Sequence, residues 1–194
     1  MEKGMKALYD VCFVSGENCV ERSGTLVMER GSGKAKPHRV FSYGTLKKGF
    51  PNYALMEGIL RSDDAVSLGT YFTPHPSPLV CGPHGIGYLI NLPGSGQRVK
   101  GELYAVSDAA VALLDEFEGV SVGCYERLPL VVEAENGGQR VEAEAYWAHR
   151  SVGEALWKMK GEVGLSEYGE KEARQYVRKE DRPGARNAIL DLLP

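Results

Sequence analysis

Read from the N-terminus, the chain alternates apolar and polar positions in short runs, and most of those runs have the two-residue period of strands. Val40 to Tyr43 is apolar, β-branched and aromatic, and it passes directly into Gly44-Thr45-Leu46-Lys47-Lys48-Gly49. This pattern predicts a strand ending in a tight turn. Ala65–Phe72, Leu79–Cys81, Gly87–Leu92 and Arg98–Val106 read as further strands. Tyr125–Glu135 and Arg140–Trp147 flank Asn136-Gly137-Gly138, the signature of a hairpin. The Pro93-Gly94-Ser95-Gly96 run is read as a second hairpin turn, because a strand rather than a helix follows it. Pro74-His75-Pro76-Ser77-Pro78 fixes an extended connection that suits the wall of a cleft.

Helical periodicity is rarer. Pro51 and Asn52 open a short helix whose Leu55, Met56, Ile59 and Leu60 share a face. The clearest helix is Ala109–Glu118, capped by Ser107 or Asp108 and closed by Gly119. At roughly 100° per residue, Ala110, Leu113, Leu114 and Phe117 form its buried stripe, and Asp115 and Glu116 point to solvent. Glu118 falls between Leu114 and Val111, at the rim of the apolar face, where a carboxylate is costly unless paired, hydrogen-bonded or protonated. An amphipathic piece around Ala155, Leu156 and Met159, a charged stretch whose Tyr176 and Arg178 suit either a cleft or the surface, and a terminal helix over Ala188–Leu193 complete the pattern.

About seven strand signals and one strong helix predict an α+β fold: a small, mixed, partly closed β-barrel of about 6–7 strands with a few flanking helices. Residues 1–37 read as a separate N-terminal extension and 38–194 as a single domain. Two β-like runs in the extension, Ala7–Val14 and Thr25–Met28, suit either a hairpin or a tail. Its acidic residues and short apolar runs predict no targeting segment. Gly31-Ser32-Gly33-Lys34 lacks the Ser or Thr of a phosphate loop and reads as a linker.

At 194 residues and 43% hydrophobic, the chain can bury one substantial core. A net charge of −3 with interspersed signs argues against nucleic acid as a partner, and the longest apolar runs fall short of a membrane span. Four scattered cysteines without a C-x-x-C pair predict reduced thiols and a cytoplasmic protein. The four histidines make no metal-ligand spacing, so no metal is expected.

The chemistry-bearing features are thus a glycine turn with spare backbone N–H groups and a carboxylate on an apolar face. Tyr43-Gly44-Thr45-Leu46 with Lys47-Lys48-Gly49 and Pro51-Asn52 comes first. Leu92-Pro93-Gly94-Ser95-Gly96 with Gly101-Glu102-Leu103-Tyr104-Ala105-Val106 follows, then Leu114-Asp115-Glu116-Phe117-Glu118 with Tyr125-Glu126-Arg127. In that order they resemble the gamma-glutamylcyclotransferase-like superfamily and, within it, the gamma-glutamylamine cyclotransferases. The resemblance spans about residues 39–150 and, more weakly, Tyr176–Arg182.

It implies a reaction in which a γ-glutamyl amide, such as γ-glutamyl-ε-lysine, closes to 5-oxoproline and expels its amine without metal or other cofactor. Tyr43, Gly44, Thr45 and Leu46 would hold the substrate, through backbone N–H groups on its α-carboxylate or on a developing oxyanion. Glu118 would be the general acid and base. Tyr125 is either a pocket hydroxyl or ordinary strand packing. γ-Glutamyl amino acids are the alternative substrates, and a non-catalytic small-ligand binding domain is the alternative function. No basic residue is assignable to a second substrate carboxylate.

Overall fold

In the computed structural model the described residues are 17–22, 25–30 and 33–182. The chain divides into two units, Met1–Gly33 and Lys34–Pro194. In the first, β1 (Glu17–Arg22) and β2 (Thr25–Arg30) pair antiparallel, with Glu17 opposite Arg30 and Arg22 opposite Thr25. The expected runs Ala7–Val14 and Ala188–Leu193 lie outside the described residues.

The second unit contains β3 (His38–Ser42), α1 (Tyr53–Arg61), β4 (Ala65–Phe72), β5 (Leu79–Cys81), β6 (Gly87–Leu89), β7 (Lys100–Val106) and α2 (Asp108–Glu118). After these come β8 (Tyr125–Ala134), β9 (Arg140–Ala148), α3 (Arg150–Met159) and the short α4 (Glu170–Ala173). The sheet order is β3-β7-β4-β8-β9-β6-β5, and β3 pairs again with β9. Five strands therefore close into a mixed barrel, with β6 and β5 appended. Closure satisfies strand edges that would otherwise stay open.

The two-residue period sorts side chains between two cores. Phe41, Leu103, Ala143, Ala145 and Trp147 pack together in one cluster, which contains no buried helix residue and fills the ring. Val40, Tyr104, Val106, Tyr146 and Ala148 alternate with them and pack outward against Met56 and Ile59 of α1, Ala110, Val111 and Leu114 of α2, and Val152 and Leu156 of α3.

Both helices turn their faces differently from the wheel prediction. On α2 the buried residues are Ala110, Val111 and Leu114, whereas Leu113 and Phe117 are 50% and 40% exposed. On α3, Val152, Leu156 and Trp157 are buried while Ala155 and Met159 face solvent. Sequence spacing defines an apolar arc, but the angle at which a helix meets the barrel selects which rows enter the core. For α2 the selected row is Ser107, Ala110 or Val111, Leu114 and Glu118. Glu118 therefore stands on the buried stripe itself rather than at its rim. Ser107 caps the helix, accepting from the Ala110 N–H at 3.2 Å, and Gly119 ends it in the left-handed conformation, φ 68°.

Two loop expectations also change. The turn at residues 93–96 is not a hairpin: β6 pairs with β5 and β9, while β7 pairs with β3 and β4. The loop instead carries the chain between distant places in the sheet. The proline segment 74–78 packs on it, through Ser77 N–H to the Gln97 carbonyl at 2.9 Å, and forms no part of the cavity wall described below.

Candidate active site

The site arises from an imperfection in the barrel. Along one edge of β9, β3 pairs in parallel at Val40 and Glu144, and β6 pairs in parallel at Leu89 and Trp147. Between these points β3 leaves the sheet. The Tyr43 hydroxyl fills the gap, donating to the Tyr146 carbonyl and accepting from the Leu89 N–H at 3.2 Å. Burial, and then the nearby Glu118, push this hydroxyl well above the ordinary tyrosine pKa, so it remains a neutral bridge. A phenol with both hydrogen-bonding capacities used supports the frame; it is not free for a ligand.

Beyond Tyr43 the chain turns sharply. Lys47 N–H donates to the Gly44 carbonyl at 3.2 Å, and Asn52 N–H to the Thr45 carbonyl at 3.0 Å. Asn52 also binds the Thr45 hydroxyl at 2.9 Å through its side-chain amide and accepts from the Tyr176 hydroxyl at 2.9 Å. Lys47 is buried; its ammonium donates to Glu167 and to the Tyr168 carbonyl, both at 2.9 Å, and lies 4.6 Å from the centre of the Phe50 ring. The backbone N–H groups of Gly44, Thr45 and Leu46 donate to nothing among the described residues. A Cβ placed on Gly44 would meet no atom within 4 Å. The turn is thus fixed on its outer side and open on the other, as an anion-binding backbone concavity must be.

That open side is one wall of a cavity of about 360 Å³. Tyr43, Gly44, Thr45 and Leu46 line it together with Glu118 and Tyr125, so all the residues singled out from the sequence meet in one place. Glu118 is half-buried, its surface facing the cavity, and removal from bulk water pushes its carboxyl up to about 8 from an ordinary 4.5. Burial is the sole cause; no cation of the described residues pulls it back down. Around neutrality its carboxyl therefore exchanges a proton readily, the property of a general acid and base.

The Tyr125 hydroxyl donates to the Gly87 carbonyl at 3.0 Å, and its ring stacks on Tyr88, centroids 5.4 Å apart and planes 10° apart. It is both wall and packing, with its proton committed to β6. Tyr88 and Tyr146, also in the wall, feel the Glu118 charge. Asp115, expected in solvent, is half-buried: it accepts from the Tyr146 hydroxyl at 2.8 Å and from Arg127 Nε at 2.9 Å, and Arg127 also binds Glu144. This network braces the end of α2 against β8 and β9.

A third wall comes from the stretch where sequence reading leaves open whether Tyr176 and Arg178 reach a cleft or lie on the surface. Tyr176, Lys179 and Arg182 from the C-terminal segment line the cavity, while Arg178 does not. The segment is seated by Leu165 N–H on the Leu79 carbonyl at 2.7 Å, Tyr168 hydroxyl on the Gly85 carbonyl at 2.5 Å and Val177 N–H on the His84 carbonyl at 3.0 Å. Gly85 permits this approach: its φ is +68°, and a Cβ there would sit 2.4 Å from the backbone of Gln175 and Tyr176. No periodicity marks these residues. Among the described residues no group of three or more His, Cys, Asp or Glu is placed to hold a metal, and no helix is long and apolar enough to cross a membrane.

Fold and cavity define a small closed mixed barrel in which a backbone turn and a desolvated carboxylate line one pocket. Residues 40–164 match the family described as Gamma-glutamyl cyclotransferase, AIG2-like. The chain belongs to that family. It is 47% identical over 156 residues, 74% of this chain and 83% of the other, to an Arabidopsis thaliana protein named "Putative gamma-glutamylcyclotransferase". It is 41% identical over 95 residues to the Homo sapiens protein named Gamma-glutamylaminecyclotransferase, which covers 48% of this chain and 61% of that protein. The crystal structure of an AIG2-like protein from Mus musculus superimposes with a TM-score of 0.62 at 30% identity, over 75% of this chain and 98% of that one.

Proposed function

We propose that this protein is a cyclotransferase that converts a γ-glutamyl amide to 5-oxoproline and a free amine. The observation that carries the reading is the placement of three undonated N–H groups, on Gly44, Thr45 and Leu46, and of the desolvated Glu118 in one cavity. Family membership and the names of its relatives support it, and the name of the human protein favours an amine as the group released.

The substrate brings its own nucleophile. Its α-ammonium gives a proton to the Glu118 carboxylate, and the freed amine attacks the γ-carbonyl carbon, forming the ring C–N bond while the carbonyl π pair moves onto oxygen. The N–H groups of the turn hold either the glutamyl α-carboxylate, fixing the ring-closing geometry, or that oxyanion. As the oxyanion collapses, the bond to the departing nitrogen breaks and Glu118 returns its proton to that nitrogen. The second proton lost by the ring nitrogen exchanges with solvent. A carboxyl titrating near 8 suits both halves of this shuttle.

Incubation with γ-glutamyl-ε-lysine and γ-glutamyl-alanine, followed by measurement of 5-oxoproline, tests the reading. Release from at least one is expected, and release from neither overturns it in favour of a binding domain on the same fold.

A further inference from the structure

The turn and Glu118 account for the glutamyl half of the substrate, but the cavity has a cationic wall that those steps do not use. Arg182 is half-buried there, its Nε donating to the Val177 carbonyl at 3.1 Å and its guanidinium 5.8 Å from the Tyr176 ring centre. These contacts hold one side of the guanidinium, and its terminal amino groups have no hydrogen-bond partner among the described residues. No carboxylate of the described residues pairs with it, although Glu180 and Asp181 are its chain neighbours. Lys179, exposed, lines the same wall.

Tyr88, Arg182 and Glu118 line the same cavity. Burial raises the Tyr88 hydroxyl, and after it Arg182 is the strongest influence, pulling the other way; Glu118 also acts on this hydroxyl. Glu118, in contrast, responds to burial only. An arginine held by its Nε and a ring face, with its fork open to a pocket, is built to take a carboxylate.

We infer that Arg182, assisted by Lys179, binds a carboxylate on the departing amine, so that the favoured substrates are γ-glutamyl conjugates of amino acids rather than of uncharged amines. This rests on the cyclotransferase reading, and it gives the reaction a specificity determinant contributed by the C-terminal segment.

The test compares γ-glutamyl-alanine with γ-glutamylethylamide, which has the same amine skeleton without the carboxylate. Wild type is expected to favour the alanine conjugate at least about 10-fold in kcat/KM, as one charge-assisted hydrogen-bonded pair allows. Arg182→Met should reduce that ratio about 10-fold, mainly through KM for the alanine conjugate, and Arg182→Lys should restore part of it. Equal preference in wild type, or an equal loss on both substrates in Arg182→Met, overturns the inference; the second result would place Arg182 on the glutamyl carboxylate common to both. Calorimetric binding of both compounds to Glu118→Gln separates this inference from the reaction itself. Tighter binding of the alanine conjugate that is lost with Arg182→Met supports it even if neither compound is turned over, and indistinguishable binding overturns it.

Discussion

The two ends of the cavity are built on opposite principles. The turn at Gly44–Leu46 continues a barrel strand, and Glu118 ends a helix capped at both termini, so each is held by regular structure that begins within a few residues of it. The wall at Tyr176–Arg182 belongs to irregular chain, and it is held by contacts to residues far away in sequence, Asn52 at a separation of 124 and His84 at about 93. In the proposed reaction, chemistry that needs fixed geometry sits on the first, and the choice of departing group falls to the second. This division lets one part of a site vary without disturbing the other.

Substitution at the reacting end carries the largest expected effect. Glu118→Gln, nearly isosteric, should lower 5-oxoproline formation by about 10²–10⁴-fold in steady-state assays while leaving the circular dichroism spectrum unchanged. A loss smaller than about 10-fold would remove Glu118 from the proton shuttle. The same variant should gain stability with a distinctive pH dependence. Between pH 4.5 and about 8 the unfolded chain has released the Glu118 proton and the folded chain retains it, so this group's contribution falls as pH rises through that window and is flat above it. Urea unfolding should show wild type and Glu118→Gln nearly equal at pH 4.5. By pH 9 the variant should be more stable by on the order of 1–3 kcal/mol, allowing for water in the pocket. An equal difference at both pH values would mean the carboxyl titrates normally.

Lys47 and Tyr176 join the two ends and sharpen the contrast. Lys47→Met leaves the Tyr168 carbonyl without its donor and Glu167 with Lys100 alone, 3.7 Å away, and should destabilise the protein by about 1–3 kcal/mol in chemical denaturation. Tyr176→Phe deletes only the bond to Asn52, an effect of about 1 kcal/mol or less. Its signature is local: faster amide hydrogen exchange at the Val177 N–H and nearby, with β3 and α2 unaffected. Equal acceleration in β3 would show that turn and segment open as one unit.

Much of the first end was legible in the chain. The Val40–Tyr43 run ending at Gly44, the Ser107 and Gly119 caps, and a lone glutamate interrupting the apolar arc of α2 are local patterns, because strand period, cap chemistry and helical spacing act over a few residues. The helix faces were legible only in part. Leu113 and Phe117 fit an apolar arc as well as Val111 does, yet the barrel admits one row and leaves the other exposed. Asp115 looked solvated because nothing nearby in sequence pairs with it; Arg127 and Tyr146 reach it from two other strands.

The sequence by itself thus determined the elements, their caps and the two residue sets whose pairing suggested the chemistry, since each depends on short-range spacing. Only the tertiary structure decided that β3 parts from β9 before Tyr43, and that the turn beyond it, Glu118 and Arg182 line one cavity. The physical reason is that barrel closure and seating of the C-terminal segment arise from long-range strand pairing and desolvation, and neither leaves a local periodic trace in the chain.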